Sequence, residues 1–235
     1  MSEVDPNQLS PALRRVLTSA AQLQRLVPDA VLVGGAAAAL HAGHRESFDH
    51  DHVLADLADR YAEILDAVEA SDGWATSVRA SKPPMTIMGS LDGVEAGLRQ
   101  MRRTRPLETF DVELAPGLVV TVPTAAESLR IKAYLVVQRN KVRDYLDVVA
   151  LCDHVGTDEA VHVLQGIDDY YVDRSGESGS VLTALILRLA DPAPRDPAVT
   201  AELHSYRALV PRWHDWADVV EACGNLALRL AGTIA

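Results

Sequence analysis

The segment AVLVGGAAAAL, at residues 30–40, contributes most to the prediction of the fold. A short apolar run rich in β-branched residues stops at Gly34 and Gly35 and gives way to a run of alanines. Glycines tolerate a tight turn, so the segment predicts a strand, a turn and a helix. At such a turn, backbone amides and the N-terminus of the helix can approach phosphate oxygens.

A second motif, RESFDHDH at residues 45–52, follows the predicted helix. Residues 47–54 are predicted to form a strand, whose alternation places Asp49 and Asp51 on one face and His50 and His52 on the other. Two adjacent carboxylates repel each other unless a cation neutralises them, and hard oxygen ligands suit Mg²⁺ shared with a substrate's phosphates. Taken singly, each motif is also compatible with an ordinary turn or hairpin end. Their order along the chain favours a phosphoryl-transfer site.

The N-terminal half of the chain is predicted to alternate between helices and strands. Ser10 and Pro11 predict the start of a first helix, and Pro28 predicts its end. A further helix is predicted at residues 57–68, and strands at residues 74–78, 85–88, 94–98, 107–114 and 118–122.

Beyond Pro123 almost every segment is predicted to be helical. Thr124 and Glu127 match a capping box at the start of a helix that runs to residue 135. Later helices are predicted at residues 143–154, 158–170, 180–189, 199–209 and 213–230, with breaks at residues 174–179 and 191–197. The fold class is therefore α+β. A mixed β-sheet with flanking helices occupies residues 1–123, and an α-helical bundle occupies residues 124–235.

The composition is that of a globular protein, with 235 residues, a net charge of −11 and a mean hydropathy of +0.03. Cys152 and Cys223 form no disulfide framework, which favours a reducing compartment. Residues 1–6 are acidic, unlike a signal peptide, and no apolar run approaches the roughly 18 residues of a membrane span. We therefore expect a cytoplasmic protein without membrane contact. The acidic charge argues against nonspecific DNA binding.

The strand, Gly-Gly turn, helix and Ser-x-Asp-x-Asp order resembles the active-site motif of the DNA polymerase β-like nucleotidyltransferase superfamily. This resemblance implies a nucleotidyltransferase-fold sheet in which Gly34 and Gly35 bind the triphosphate of an NTP. Asp49 and Asp51 would act catalytically by holding Mg²⁺, and Ser47 would line the nucleotide pocket.

Members of the superfamily usually supply a third carboxylate to the metal from a neighbouring strand. Two residues of this chain are candidates, Glu95 and Asp111. Glu95 is the preferred metal ligand, because the short strand that carries it should come next in the sheet. Asp111, on the strand at residues 107–114, remains the alternative.

A second block, at residues 127–151, narrows the resemblance. Lys132 and Arg139 are seven residues apart on one helical face, and Asp144 and Asp147 are three apart on the next. This block resembles the AbiEii and MenT nucleotidyltransferase toxins. By that resemblance Lys132 neutralises phosphate charge, Asp144 lies near the transferred group or orients Lys132, and Arg139 and Arg143 contact the substrate. Ordinary ion pairs between successive turns are the alternative, and for Asp147 a pair with Arg143 is preferred.

The resemblance implies an enzyme dependent on Mg²⁺, or on Mn²⁺, that moves NMP from an NTP to a hydroxyl acceptor and releases pyrophosphate. For the toxins, the implied acceptor is the 3′ end of tRNA, and a cognate antitoxin protein is the implied partner. Two alternatives remain open. One is a small-molecule acceptor, as in antibiotic nucleotidyltransferases of the same fold, and the other is a catalytically silent nucleotide-binding or interaction module.

Cations concentrate in the middle of the chain. Residues 99–143 hold nine cations against four carboxylates, a net charge of +5, whereas the rest of the chain carries −16. The cations are Arg99, Arg102, Arg103, Arg105, Arg130, Lys132, Arg139, Lys141 and Arg143. We interpret the cations at residues 99–105 of this basic island, together with those at residues 132–143, as an RNA-backbone track, with an ordinary solvated face as the alternative. His50 and His52 are predicted to pack or hydrogen-bond beneath the sheet rather than to bind zinc with His41 and His44.

Overall fold

The structure is a computed structural model that describes residues 9–103, 105–172 and 179–233. Spatial contacts between Cα atoms divide the chain into two compact units. The first comprises Met1–Leu40 and Glu46–Thr124, and the second comprises His41–Arg45 and Ala125–Ala235. Residues 41–45, assigned from the sequence to the N-terminal domain, thus group with the second unit. The acidic residues 1–6 and most of the expected break at residues 174–179 lie outside the described residues.

The first unit is built around a five-stranded mixed sheet. Its strands are β1 (Val31–Val33), β2 (Asp49–Leu54), β3 (Trp74–Thr76), β4 (Thr86–Leu91) and β5 (Val94–Gln100). They lie in the order β1-β2-β5-β4-β3, and β2 and β5 are the parallel pair within an otherwise antiparallel sheet. A separate hairpin, β6 (Thr109–Ala115) and β7 (Leu118–Pro123), forms a two-stranded sheet.

Three helices accompany these strands: α1 (Pro11–Leu26), α2 (Gly34–Ala42) and α3 (Tyr61–Glu69). The predicted start of α1 is confirmed, since the Ser10 hydroxyl accepts a hydrogen bond from the Leu13 amide at 3.1 Å. One apolar cluster joins α1 to β1 and the hairpin, and a second joins the end of α1 and α3 to β4 and β5. Helices therefore cover one face of the five-stranded sheet.

The second unit is helical apart from its connections. Its helices are α4 (Ala125–Arg139), α5 (Val142–Val155), α6 (Thr157–Gln165), α7 (Val181–Ala190) and α8 (Trp216–Ala231). Short 3₁₀ segments span Ile167–Asp169, Pro197–Ser205 and Pro211–Trp213. The α+β prediction, a mixed sheet with flanking helices followed by C-terminal helices, is confirmed.

Some predicted elements were wrong in detail. The helix predicted at residues 57–68 begins only at Tyr61, and the helix predicted at residues 199–209 is the 3₁₀ segment Pro197–Ser205. Trp213 and Trp216 do not share a helix, because α8 starts afresh at Asp215, whose carboxylate accepts the Ala217 amide at 2.9 Å. Across the described residues, no helix is both long and apolar enough to cross a membrane.

Candidate functional site

The acidic face of β2 is formed as the strand alternation requires. Asp49 and Asp51 are partly exposed on one face, whereas His50 and His52 are buried on the other. The turn before α2 also forms as expected, with Gly34 at φ +79°. Gly34 approaches Asp51 closely, since a Cβ atom added to Gly34 would lie 3.5 Å from the Asp51 Cβ. The glycine turn and the acidic pair thus lie together in the first unit.

The neighbouring strand β5 adds a third carboxylate to this face. In the parallel register, Glu95 is opposite Asp49, and Gly97 is opposite Asp51. Residues in register share a face of the sheet, so Glu95 lies beside the acidic pair. Asp111 lies instead on the separate hairpin, where its carboxylate accepts the Thr121 hydroxyl at 2.7 Å. Of the two candidates, Glu95 is the one on the acidic face.

Gly97 is required for the position of the Asp51 side chain. A Cβ atom at Gly97 would lie 2.5 Å from Asp51 Oδ1 and 2.9 Å from the Met88 sulfur. Asp51 Oδ1 uses this space to accept Arg99 Nε at 3.0 Å. The sequence reasoning did not single out Gly97, although a glycine inside a strand is a known sign of close approach.

We expect Gly97→Ala to displace the Asp51 carboxylate while leaving the sheet folded. The measurement is divalent-cation affinity in the presence of a nonhydrolysable NTP, which should fall about tenfold or more for a displaced ligand. Gly224→Ala is the matched control, because a Cβ atom there meets nothing within 4 Å. Equal affinity for the two variants would show that Asp51 does not need this space.

Ser47 is buried and directed toward the acidic pair. Its hydroxyl lies 3.3 Å from the Asp49 carbonyl oxygen and 3.5 Å from Asp49 Oδ1. The residue predicted to line the nucleotide pocket is therefore placed where it orients the start of β2.

The two β2 histidines lie beneath the sheet, as the sequence suggested. His50 Nε2 is 3.0 Å from the Ser19 hydroxyl on α1, and the His50 and His52 rings meet edge to face. Neither nitrogen of His52 has a hydrogen-bond partner among the described residues. Burial lowers the pKa of His50 to about 4 and that of His52 well below its usual value, so both rings are neutral at pH 7.

We expect these histidines to make the protein sensitive to mild acid. The unfolded chain protonates His50 near pH 6.5 and the folded chain only near pH 4, so stability falls as the pH drops through this window. Between pH 6.5 and 4.5 the free energy of unfolding should fall about 2 kcal/mol more in the wild type than in His50→Gln. Urea unfolding at several pH values measures this, with the exposed His204→Gln as control. Parallel pH profiles for wild type and His50→Gln would contradict it.

The second unit contains a fully buried ionic cluster around Asp147. One carboxylate oxygen accepts His44 Nε2 and Arg45 Nε, each at 2.8 Å. The other accepts Lys132 Nζ at 2.6 Å and Arg45 Nη2 at 3.0 Å. The preferred interpretation of Asp147, an ordinary ion pair with Arg143 one helical turn earlier, was therefore wrong. The sequence did not reveal Arg45 as a partner of Asp147, because Arg45 lies 102 residues earlier in the chain.

Burial opposes ionisation throughout this cluster, but for Asp147 the charges outweigh it. Arg45, Lys132 and the hydrogen bond from His44 hold the pKa of Asp147 well below its usual range. Burial lowers the pKa of Lys132, while Asp147 acts in the opposite direction. Burial also lowers the pKa of His44, so the neutral ring donates its Nε2 proton to Asp147. Lys132, predicted to neutralise phosphate, is already paired with a carboxylate.

Asp144 lies close to this cluster and is also buried. Its Oδ1 accepts Arg139 Nη2 at 2.8 Å, whereas its Oδ2 has no hydrogen-bond partner among the described residues. The charge of Asp144 raises the pKa of Lys132, a smaller effect than that of Asp147. Arg139 thus contacts Asp144, and Arg143 is exposed.

The basic island is not a continuous surface track. Arg103, Arg130 and Lys132 are buried. Arg103 donates to the carbonyl oxygens of Arg105 and Pro106, and Arg130 pairs with the buried Glu127 at 2.9 Å. The interpretation as an RNA-backbone track was therefore wrong for Arg103 and Lys132, because their guanidinium and ammonium groups satisfy internal acceptors.

The residues of the acidic face suit a hard divalent cation. Two carboxylates share a face, and the adjacent Gly34 and Gly97 leave room around Asp51. Among the described residues, no three His, Cys, Asp or Glu side chains already form a metal cage. Mg²⁺ commonly binds through one or two carboxylates together with substrate phosphates, so the pair fits an ion that arrives with a nucleotide.

Comparison with solved structures gives the same fold class. The "putative nucleotidyltransferase from H. pylori" superposes with a TM-score of 0.53 at 16% identity, covering 95% of this chain and 97% of that one. The Helicobacter pylori protein JHP933 superposes with a TM-score of 0.52 at 15% identity, covering 96% and 94%. The chain therefore has a nucleotidyltransferase-like fold.

Sequence comparison finds a different kind of relative. The chain is 33% identical over 208 residues to the heme uptake protein MmpL11 of Mycobacterium tuberculosis, covering 78% of this chain and 20% of the relative. It is 35% identical over 131 residues to the mycolic acid-containing lipids exporter MmpL11 of Mycolicibacterium smegmatis, covering 55% and 13%. The chain spans about a fifth or less of the length of these curated relatives. No protein-family model matches it.

Proposed function

We propose that this chain transfers NMP from an NTP to a hydroxyl acceptor. The observation that supports this most directly is the acidic face of β2, where Asp49, Asp51 and the neighbouring Glu95 lie beside the Gly34 turn at the start of α2. A glycine turn with helix amides suits the phosphates, and the carboxylates suit the cation that accompanies them. The nucleotidyltransferase-like fold supports a proposal of this class of reaction.

In the proposed reaction, the acceptor oxygen attacks the α-phosphorus and forms a new P–O bond. The bond from the α-phosphorus to the bridging oxygen breaks, and pyrophosphate leaves with that electron pair. The acceptor proton passes to one of Asp49, Asp51 or Glu95. Mg²⁺ held by Asp49 and Asp51 would supply electrostatic stabilisation of the phosphate oxygens.

For the acceptor we propose the 3′ end of tRNA, with a cognate antitoxin as a protein partner. This rests on the resemblance of the Lys132 and Asp144 block to the AbiEii and MenT toxins. The side chains of Arg102 and Arg143 are exposed, unlike the buried members of the basic island, and each could contact an RNA backbone.

The test incubates the purified protein with total tRNA, Mg²⁺ and each of the four α-labelled NTPs. The control is the double variant Asp49→Ala/Asp51→Ala. Label on tRNA with one NTP, and none with the control, supports the tRNA-directed enzyme. Pyrophosphate release only with a small hydroxylated compound would instead identify a small-molecule acceptor. A cavity of about 420 Å³, lined in part by Glu95, Ser77 and Ser90, favours a small-molecule acceptor.

A second candidate function is a nucleotide-binding module without transfer activity, acting within or beside a transport protein. The similarity to part of the MmpL11 transport proteins favours it, as does the Arg99 ion pair on Asp51. This candidate predicts NTP binding without pyrophosphate release, whichever acceptor is supplied. Asp49-dependent turnover with any acceptor would exclude it.

A further inference from the structure

We propose that a groove along α1 is a separate binding site for a small amphiphilic anion, meaning a phosphate or carboxylate group carried on an apolar body. The groove has a volume of about 710 Å³, within the usual range for small-ligand sites. It lies between α1 and the turn that joins β4 to β5.

The helix face in the groove is polar. Arg15, Thr18 and Gln22 recur at the spacing of successive helical turns, and all three line the groove. The opposite face of α1 is apolar and packs into the core through Leu13 and Leu17, among others. The groove side therefore offers one guanidinium, one hydroxyl and one amide along a single stripe.

Arg15 supplies the positive charge that an anion requires. Its Nη2 donates to the carbonyl oxygen of Asp92 at 3.4 Å, which holds the guanidinium at the β4–β5 turn. The Asp92 carboxylate is directed toward Gly73. Within the described residues, no ion pair involves Arg15. The guanidinium favours an anionic ligand over a cationic one locally, although the net charge of −11 acts against anions at longer range.

Arg14 and Asp92 also line the groove, and its other walls are apolar. Leu9 and Pro11 lie at the start of α1, and Val94 lies at the start of β5. Inorganic phosphate could use only the polar stripe. A ligand with an apolar body would also remove these side chains from water, which adds affinity in proportion to the area covered.

The groove is distinct from the acidic face of β2. At its floor, the Ser19 hydroxyl donates to the Leu91 carbonyl oxygen at 3.3 Å, and His50 Nε2 is 3.0 Å away. His50 lies on the face of β2 opposite Asp49 and Asp51. The groove and the acidic pair are therefore on opposite sides of the sheet, and this proposal does not depend on the proposed function.

The test titrates the full chain with phenyl phosphate and follows backbone amides by NMR. We expect saturable shifts at Arg15, Thr18 and Val94. Arg15→Glu should weaken binding about tenfold or more, because it reverses the charge that the anion meets. Arg25→Glu is the matched control, since Arg25 is on the same helix but bonds to the Gly117 carbonyl oxygen outside the groove.

Inorganic phosphate should bind about tenfold more weakly than phenyl phosphate. Equal weakening by Arg15→Glu and Arg25→Glu would overturn the proposal, because it would indicate general attraction to the helix. Shifts confined to the Asp49 and Asp51 face would also overturn it. Arg15→Gln, which removes the charge with less disturbance, repeats the comparison if Arg15→Glu lowers the melting temperature.

Discussion

Replacing Asp49 with asparagine is expected to reduce nucleotidyl transfer about a thousandfold, equivalent to about 4 kcal/mol of transition-state stabilisation. Asparagine keeps the size of the side chain but removes a negative charge from the acidic face. Because Asp49 is partly exposed on β2, the fold should remain intact. The measurement is single-turnover release of pyrophosphate, once the acceptor has been identified by the four-NTP experiment.

Two further substitutions make this prediction specific to the acidic face. Glu95→Gln, in register with Asp49, should also lower the rate, by about tenfold or more. Asp111→Asn is the matched control, because Asp111 is a carboxylate on the separate hairpin bonded to Thr121. Losses of equal size in Asp49→Asn and Asp111→Asn would contradict the assignment. Mn²⁺ affinity in the presence of a nonhydrolysable NTP gives a readout that needs no acceptor.

Asp147→Asn is expected to be the most destabilising substitution. Asp147 is fully buried and neutralises Arg45 and Lys132. Removing its charge leaves two buried cations without their partner, which typically costs about 3–5 kcal/mol. For a chain of this length, the melting temperature should fall by roughly 10 °C. Thermal unfolding followed by circular dichroism measures the change.

The same helix provides a control for Asp147→Asn. Asp153 on α5 pairs with Arg212, but both side chains are largely exposed, at 44% and 63%. Asp153→Asn should therefore cost less than about 1 kcal/mol. The triple variant Arg45→Met/Lys132→Met/Asp147→Met should recover part of the stability lost in Asp147→Asn, because it leaves no buried charge unpaired. A loss below about 1 kcal/mol in Asp147→Asn would show that the cluster is not stabilised by this carboxylate.

The buried cluster also bears on the proposed role of Lys132. Because Asp147 already neutralises the Lys132 ammonium, Lys132 attracts a nearby phosphate less strongly than an unpaired lysine would. Its effect on nucleotide binding is therefore tied to Asp147, Arg45 and His44 together. Substitutions in this cluster should be interpreted with stability measured alongside activity.

Several features followed from the sequence alone because local rules govern them. Strand alternation places Asp49 and Asp51 on one face, and the Gly-Gly pair permits the turn before α2. Ser10 and Pro11 mark the start of α1 by capping chemistry. Each depends on residues within a few positions of one another, so the sequence already contains the necessary information.

Only the tertiary structure decided which distant residues meet. Sheet order placed Glu95 rather than Asp111 beside Asp49, and Gly97 beside Asp51. The partners of Asp147 include Arg45, 102 residues away, so helical spacing could suggest only the local pair with Arg143. Burial likewise separated Arg103, Arg130 and Lys132 from the exposed cations of the basic island. These outcomes depend on strand pairing and on the desolvation of charges, which arise when distant parts of the chain pack together.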